Sequence, residues 1–358
     1  MAGIYIHIPF CKSRCAYCDF YSTTELPLRT RYVDALIHEY DLRKKELTEP
    51  VRTIYLGGGT PSQLKSDDLA RLLQALPTAE VEELTLEANP QDITPEKLIA
   101  WREAGVNRLS IGIQSFHNRT LRRLGRRHDA QAAYRAVELA KQHGFTNISV
   151  DLIYATPEQT MDEWMEDIQE VLALDVPHIS TYCLMYEENT PLYDLLKQGR
   201  VQELDEDSVN AMYAMICQAL KDAGYEHYEV SNFARPGFKS KHNSSYWDDT
   251  PYLGLGPGAH SYDGKIRRAN NPDLLAYLGA LTNDEVPHTD EVLTPEDRYN
   301  EQIMLGLRTS NGVAITEQRL KEAQSYIERG LLVLENGRLR ATQQGLNILN
   351  RIIEDMMI

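Results

Sequence analysis

Short runs of β-branched, aromatic and aliphatic residues recur through the first two-thirds of the chain. Between them lie longer stretches in which apolar residues return every three or four positions. "IYIHI" around Tyr5, "TIYL" at Thr53–Leu56, "LTLE" ending at Glu87, "RLSIGI" near Ile111, "NISVDLI" around Asp151 and "HISTYCL" around Tyr182 each read as a strand. The intervening segments read as helices: one starts at Asp129 as N-cap, carries Ala133, Val137 and Ala140 on one face, and stops at Gly144. Strand followed by helix, repeated, predicts parallel βα units with buried strands, closed into a full or partial barrel or opened into a doubly wound sheet.

The pattern changes after about Asp205. One more helix, near Val209 to Ala223, leads to "YEHYEVSNF", which reads as a strand, and then to a polar stretch rich in Gly and aromatic residues, from Ala234 to about Asn271. Beyond it the sequence predicts a helix from Pro295 to Leu307, another from Thr316 to Glu328, a hairpin "LLVLENGRLRAT" turning at Asn336-Gly337, and a helix to the end. The expectation is an α/β protein: a partial TIM-type barrel of parallel βα units over 1–233, a connecting segment over 234–293, and a small winged-helix-like α+β domain over 294–358.

Composition narrows the function classes. Over 358 residues, 42% apolar and 25% charged is ordinary for a globular protein, and the length suits a large domain plus a smaller one. A formal net charge of -16 argues against nucleic acid as a partner, and the C-terminal module offers no basic recognition helix. The chain shows no apolar run of membrane-span length and no signal-peptide pattern, so a cytoplasmic protein without an integral membrane segment is expected. In a reducing compartment five cysteines point to metal or catalytic use before disulfides.

Three of those cysteines, Cys11, Cys15 and Cys18, fall on the loop directly after the first strand. In βα barrels that end of the strands is where sites assemble. Three thiolates on one tight loop can wrap a compact multi-iron core, whereas a tetrahedral zinc site wants a fourth protein ligand, which neither the isolated Cys183 and Cys217 nor a histidine pair supplies.

The CxxxCxxC spacing at the head of a run of βα units resembles the radical S-adenosylmethionine (SAM) superfamily. The resemblance implies a [4Fe-4S] cluster on Cys11, Cys15 and Cys18, with the fourth iron left for the amino and carboxylate groups of SAM. It also implies SAM contacts from Tyr5, from Gly58, Gly59 and Thr60 of "GGGTP", from the strand-end residues Glu87, Gln114 and Asp151, and from Arg126 as partner of the SAM carboxylate, with Arg127 as the alternative. Taken singly, each strand-end residue also suits a turn or a helix cap.

"YIHIPFC", "LGGGTPS", "LEANP", "SIGIQSF", "LGRRH", "VDLIYATPEQT", "HNSSYW" and "YLGLGPGAHSY" together resemble the oxygen-independent coproporphyrinogen III oxidase-like group over the whole chain. That group has an oxidase branch, which decarboxylates porphyrinogen propionates, and a haem-chaperone branch, which carries haem to acceptor proteins. Phe20 stands where the oxidase branch has a further cysteine, the chain starts at its first strand, and "HNSSYW" resembles the chaperone branch. The expectation is therefore a haem carrier with haem as cargo, a haem-accepting protein as partner and a homodimer as a candidate assembly. The oxidase, or another radical SAM enzyme, is the alternative. His242, Tyr246, Trp247 and His260 are the candidate haem contacts, with Lys239, Lys241, Lys265, Arg267 and Arg268 as candidate propionate partners. For each histidine a hydrogen-bonded structural role is the competing reading, and for the basic run a solvated face.

Overall fold

The computed structural model describes residues 1–358. Its central feature is one sheet built on alternation within each strand. β1 (Ala2–Ile8), β2 (Val51–Gly58), β3 (Glu83–Ala88), β4 (Arg108–Gln114), β5 (Asn147–Tyr154) and β6 (His178–Cys183) run parallel in chain order, each followed by a helical crossover. Ile4, Ile6, Ile8, Ile54, Leu56, Leu84, Leu86, Leu109, Ile111, Ile113, Ile148, Val150 and Leu152 face outward, where the crossover helices bury them in the main core. The alternate positions face inward and are polar: Tyr5, His7, Tyr55, Thr85, Glu87, Arg108, Ser110, Ser149, Asp151, His178 and Ser180. Only a partly open barrel tolerates such a lining, because buried polar groups need partners or solvent. The helix after Asp129 forms as expected over Ala130–Gln142, with the Asp129 carboxylate accepting from Ala132 N and Gly144 at φ +80° beyond its end.

Both edges are extended. "YEHYEVSNF" is not one strand but a tight hairpin, β7 (Glu226–Glu229) and β8 (Asn232–Ala234), with β8 antiparallel to β6. The stretch expected as a connecting segment adds four strands at the other edge. β9 (Tyr252–Leu255) runs parallel to β1, and β10 (His260–Tyr262), β11 (Ile266–Asn270) and β12 (His288–Val292) follow antiparallel. The sheet order is β12-β11-β10-β9-β1-β2-β3-β4-β5-β6-β8-β7.

A second, smaller core gathers Ile303, Leu307, Val313, Tyr326, Leu339, Ile352 and Met356. Its order is helix (Pro295–Leu307), short strand β13 (Val313–Ala314), helix (Glu317–Glu328) and hairpin β14 (Leu332–Glu335) with β15 (Arg338–Ala341), the winged-helix-like order that the sequence predicts. Asn336 and Gly337, at φ 52° and 74°, make the turn. The last segment forms two short helices, Gln343–Leu346 and Leu349–Met356, rather than one. No helix is long and apolar enough to cross a membrane.

Candidate cofactor site

The three cysteines sit at the C-terminal rim of the barrel, free of disulfides and only partly buried. A closed ring of hydrogen bonds braces their loop. Cys11 Sγ lies 3.3 Å from Thr60 Oγ1, Asn89 Nδ2 donates to the same hydroxyl at 3.2 Å, Arg126 Nη2 donates to Asn89 Oδ1, and Arg126 Nη1 donates to Cys15 Sγ at 3.4 Å. Loops after β1, β2, β3 and β4 thus meet at one place. Arg126 also donates to Gly112 O at 2.7 Å. Arg127, the alternative carboxylate partner, is exposed and takes no part in this ring.

"GGGTP" passes directly behind the cysteine loop, and two of its glycines are required there. Gly58 has φ +103°, and a Cβ on it would lie 2.5 Å from the His7 ring; a Cβ on Gly59 would lie 2.7 Å from the Pro9 backbone. Gln114 pays for its rim position in backbone strain, with φ +71° in a non-glycine residue, and its buried Oε1 has no partner.

Below the rim the polar inward faces meet. Tyr55 OH donates to Glu87 Oε1 at 2.8 Å, and Tyr5 OH lies 3.2 Å from His7 Nδ1. Ser110 Oγ donates to Asp151 at 3.3 Å. Burial pushes the Glu87 carboxyl up to about 7, against the Tyr55 hydrogen bond and with the Asp151 charge adding to it. Burial likewise pushes Asp151 up to about 6, against hydrogen bonds from Ser180 and Ser110. Glu87 and Asp151 therefore favour a cationic, hydroxyl-bearing guest that would restore their charged forms.

These residues fit the cofactors the sequence implies. No three His, Cys, Asp or Glu side chains converge as a single bound ion needs, while three thiols spaced along one loop suit the separated corners of a multi-iron core. The partnerless Gln114 Oε1, the rim cation Arg126 and the paired carboxylates below are the acceptors and the cation that an amino acid joined to a ribose would use.

Of the candidate haem residues, His242 and Tyr246 pair with each other, and Trp247 turns away from them. The helix Lys241–Ser245 plugs the opposite end of the barrel, with the Glu83 carboxylate accepting from Lys241 N at 2.8 Å and His242 N at 2.9 Å. His242 is fully buried. Its Nδ1 lies 2.8 Å from Thr53 Oγ1, its Nε2 lies 2.9 Å from Tyr246 OH, and its ring stacks on Tyr55 at 5.2 Å. Both ring nitrogens are engaged, so in this arrangement His242 and Tyr246 offer nothing to an iron; they hold the floor. Trp247 leaves that floor and faces a cleft outside the barrel. His260, at the start of β10, is exposed. The basic run is largely paired already: Lys239 with Glu226 (2.8 Å), Lys241 with Glu82, Arg267 with Glu301 and Arg268 with Asp290 (2.8 Å).

Sequence reasoning missed Tyr55 and Asn89. Tyr55 lay inside a run read as a strand, where only its inward position gives it a role. Asn89 sits in "LEANP", where no spacing or charge sets it apart from a turn residue.

The sequence profile of the Radical SAM superfamily matches residues 5–171, and that of the HemN C-terminal domain matches residues 293–348. Heme chaperone HemW of Lactococcus lactis is 38% identical, over 99% of this chain and 97% of its own. Heme chaperone HemW of Escherichia coli is 39% identical, over 74% of this chain and 72% of its own. Among solved structures, coproporphyrinogen III oxidase (HemN) from Escherichia coli superposes with a TM-score of 0.83 at 21% identity, covering 99% of this chain and 90% of that one; at that identity the likeness is one of fold.

Proposed function

Because the chain belongs to the HemW family of radical SAM proteins, we propose that it is a haem chaperone that binds haem as cargo and passes it to an acceptor protein. The observation that carries this reading is the end-to-end similarity to a heme chaperone HemW at 38% identity, against 21% for the oxidase that shares the fold. Phe20, exposed at the position of the oxidase branch's extra cysteine, supports the same branch.

Cys11, Cys15 and Cys18 would hold a [4Fe-4S] cluster, and Arg126, Gln114, Glu87 and Asp151 would hold SAM beside it. Bound there, the cluster would pass one electron, received from an external reductant, to the SAM held on its fourth iron, the chemistry that cleaves SAM. Arg126, which donates to Cys15 and Asn89, would face the SAM carboxylate and so align ligand and loop together. Tyr55 holds Glu87 toward the chamber, and Ser110 does the same for Asp151. Of the two imidazoles, His260 is the one with an accessible ring.

An anaerobic haem titration of the reconstituted protein, with and without SAM, tests the proposal. Near-stoichiometric haem binding is expected. Protoporphyrinogen formation from coproporphyrinogen III at enzymatic rates would overturn the carrier reading in favour of the oxidase.

A further inference from the structure

The C-terminal domain reaches both ends of the barrel sheet. At the β7 edge Val230 N donates to Arg308 O at 2.9 Å and Ser310 N to Tyr228 O at 3.0 Å; toward the other end, Arg267 of β11, one strand in from the edge strand β12, pairs with Glu301. Between this bridge and the barrel floor lies a cleft of about 400 Å³, within the range of small-molecule sites. Trp247 forms part of one wall; Arg319 and Arg338 of the C-terminal domain form part of the other.

Arg319 is the unusual member. It is 4% exposed, its Nη1 and Nη2 donate to Ala314 O (2.9 Å) and Gln302 Oε1 (2.8 Å), and its Nε has no partner. No carboxylate pairs with it. Arg338 likewise donates only to the backbone carbonyls of Asn311 and Gly312, both at 2.7 Å. Two arginines without acidic partners share one cleft in a chain that carries 53 acidic and 37 basic residues. A buried guanidinium normally finds an anion, because isolating its charge is costly. The carboxylates nearby do not supply one. Glu229 is taken by Ser231 N (3.1 Å) and Asn232, and Asp248 by Thr250; Asp249 also borders the cleft without pairing with either guanidinium.

We propose that this cleft binds a flat, carboxylate-bearing molecule, its carboxylates on Arg319 and Arg338 and its ring against Trp247. Resting on the haem-carrier reading above, the molecule is haem and the carboxylates are its propionates. The cargo then sits at the floor end of the barrel, the far side from the cysteine rim.

The test compares haem with its dimethyl ester in absorbance titrations of the full chain. Wild type is expected to bind haem roughly 30-fold or more tightly than the ester, the ratio that loss of a buried charge partner produces. Arg319→Gln and Trp247→Leu are expected to weaken haem binding. Arg338→Gln, at an exposed position that leaves the domain core intact, is expected to narrow the haem-to-ester ratio. Equal affinity of wild type for haem and ester, or a ratio unchanged in Arg338→Gln and in folded Arg319→Gln, would overturn the site and leave the carrier reading standing. Failure of wild type to bind haem at all would overturn the carrier reading itself.

Discussion

The Tyr55 hydroxyl donates to Glu87 Oε1 at 2.8 Å inside the barrel, while the Tyr55 ring stacks on His242 at 5.2 Å. One side chain therefore joins the cofactor end of the chamber to the plug at its floor.

That link predicts opposite effects on stability and ligand affinity. Burial holds the Glu87 carboxyl up at about 7. A carboxyl whose folded value is raised costs stability once pH exceeds its unfolded value near 4.5, with the full cost above about 7. Glu87→Gln is expected to raise the melting temperature at about pH 8, by a stabilisation on the order of 2 kcal/mol discounted for the chamber's residual solvent, and the gain should vanish near pH 4.5. The same variant should lose SAM affinity in calorimetric titration. A Glu87→Gln protein that melts lower than wild type at about pH 8 would contradict the burial argument.

The acid limb of stability should come from histidines. Burial lowers His7 and His128 to about 4 and His242 to about 3, and holds His178 well below its ordinary value. A base with a lowered folded value keeps its full stability above the unfolded value of 6.5 and loses it as pH falls toward the folded one. At about pH 5 His7, His128 and His242 each cost ~2 kcal/mol, and these three already outweigh the ~4 kcal/mol that protonating Glu87 and Asp151 returns. Urea midpoints should fall steeply between pH 6.5 and 5. A His242→Gln protein should melt at a lower temperature and leave the haem absorption spectrum unchanged.

Replacing Cys11, Cys15 or Cys18 by Ala should abolish iron and sulfide incorporation on anaerobic reconstitution, measured by elemental analysis. Retained iron in any one variant would reassign that ligand.

Arg126→Gln should weaken SAM binding by about 2–5 kcal/mol, or roughly 30- to several-thousand-fold. Arg126 also donates to Cys15 and Asn89, so the iron content of this variant must be measured beside its SAM affinity. An unchanged SAM dissociation constant would pass the role to Arg127 at the exposed rim.

Much of this was legible locally. The CxxxCxxC loop, the capped helix after Asp129 and the Asn336-Gly337 hairpin each depend on residues a few positions apart, where backbone sterics and short-range hydrogen bonds decide the outcome. The strand runs were legible too, since their apolar residues recur at every second position and bury on one side.

Partners far apart in sequence are fixed by the fold alone. "HNSSYW" reads as a cluster of haem contacts, yet Glu83, some 160 positions away in sequence, draws its helix into the barrel floor and spends His242 on Thr53 and Tyr246. Nothing in the sequence singles out Arg319; the fold buries it against Tyr299 beside the cleft that Trp247 lines. Sequence spacing determines which groups share a loop or a strand face. Which charges lose water, and which then find a partner, is set by long-range packing, and that packing decides which polar residues hold the fold and which stay free for a ligand.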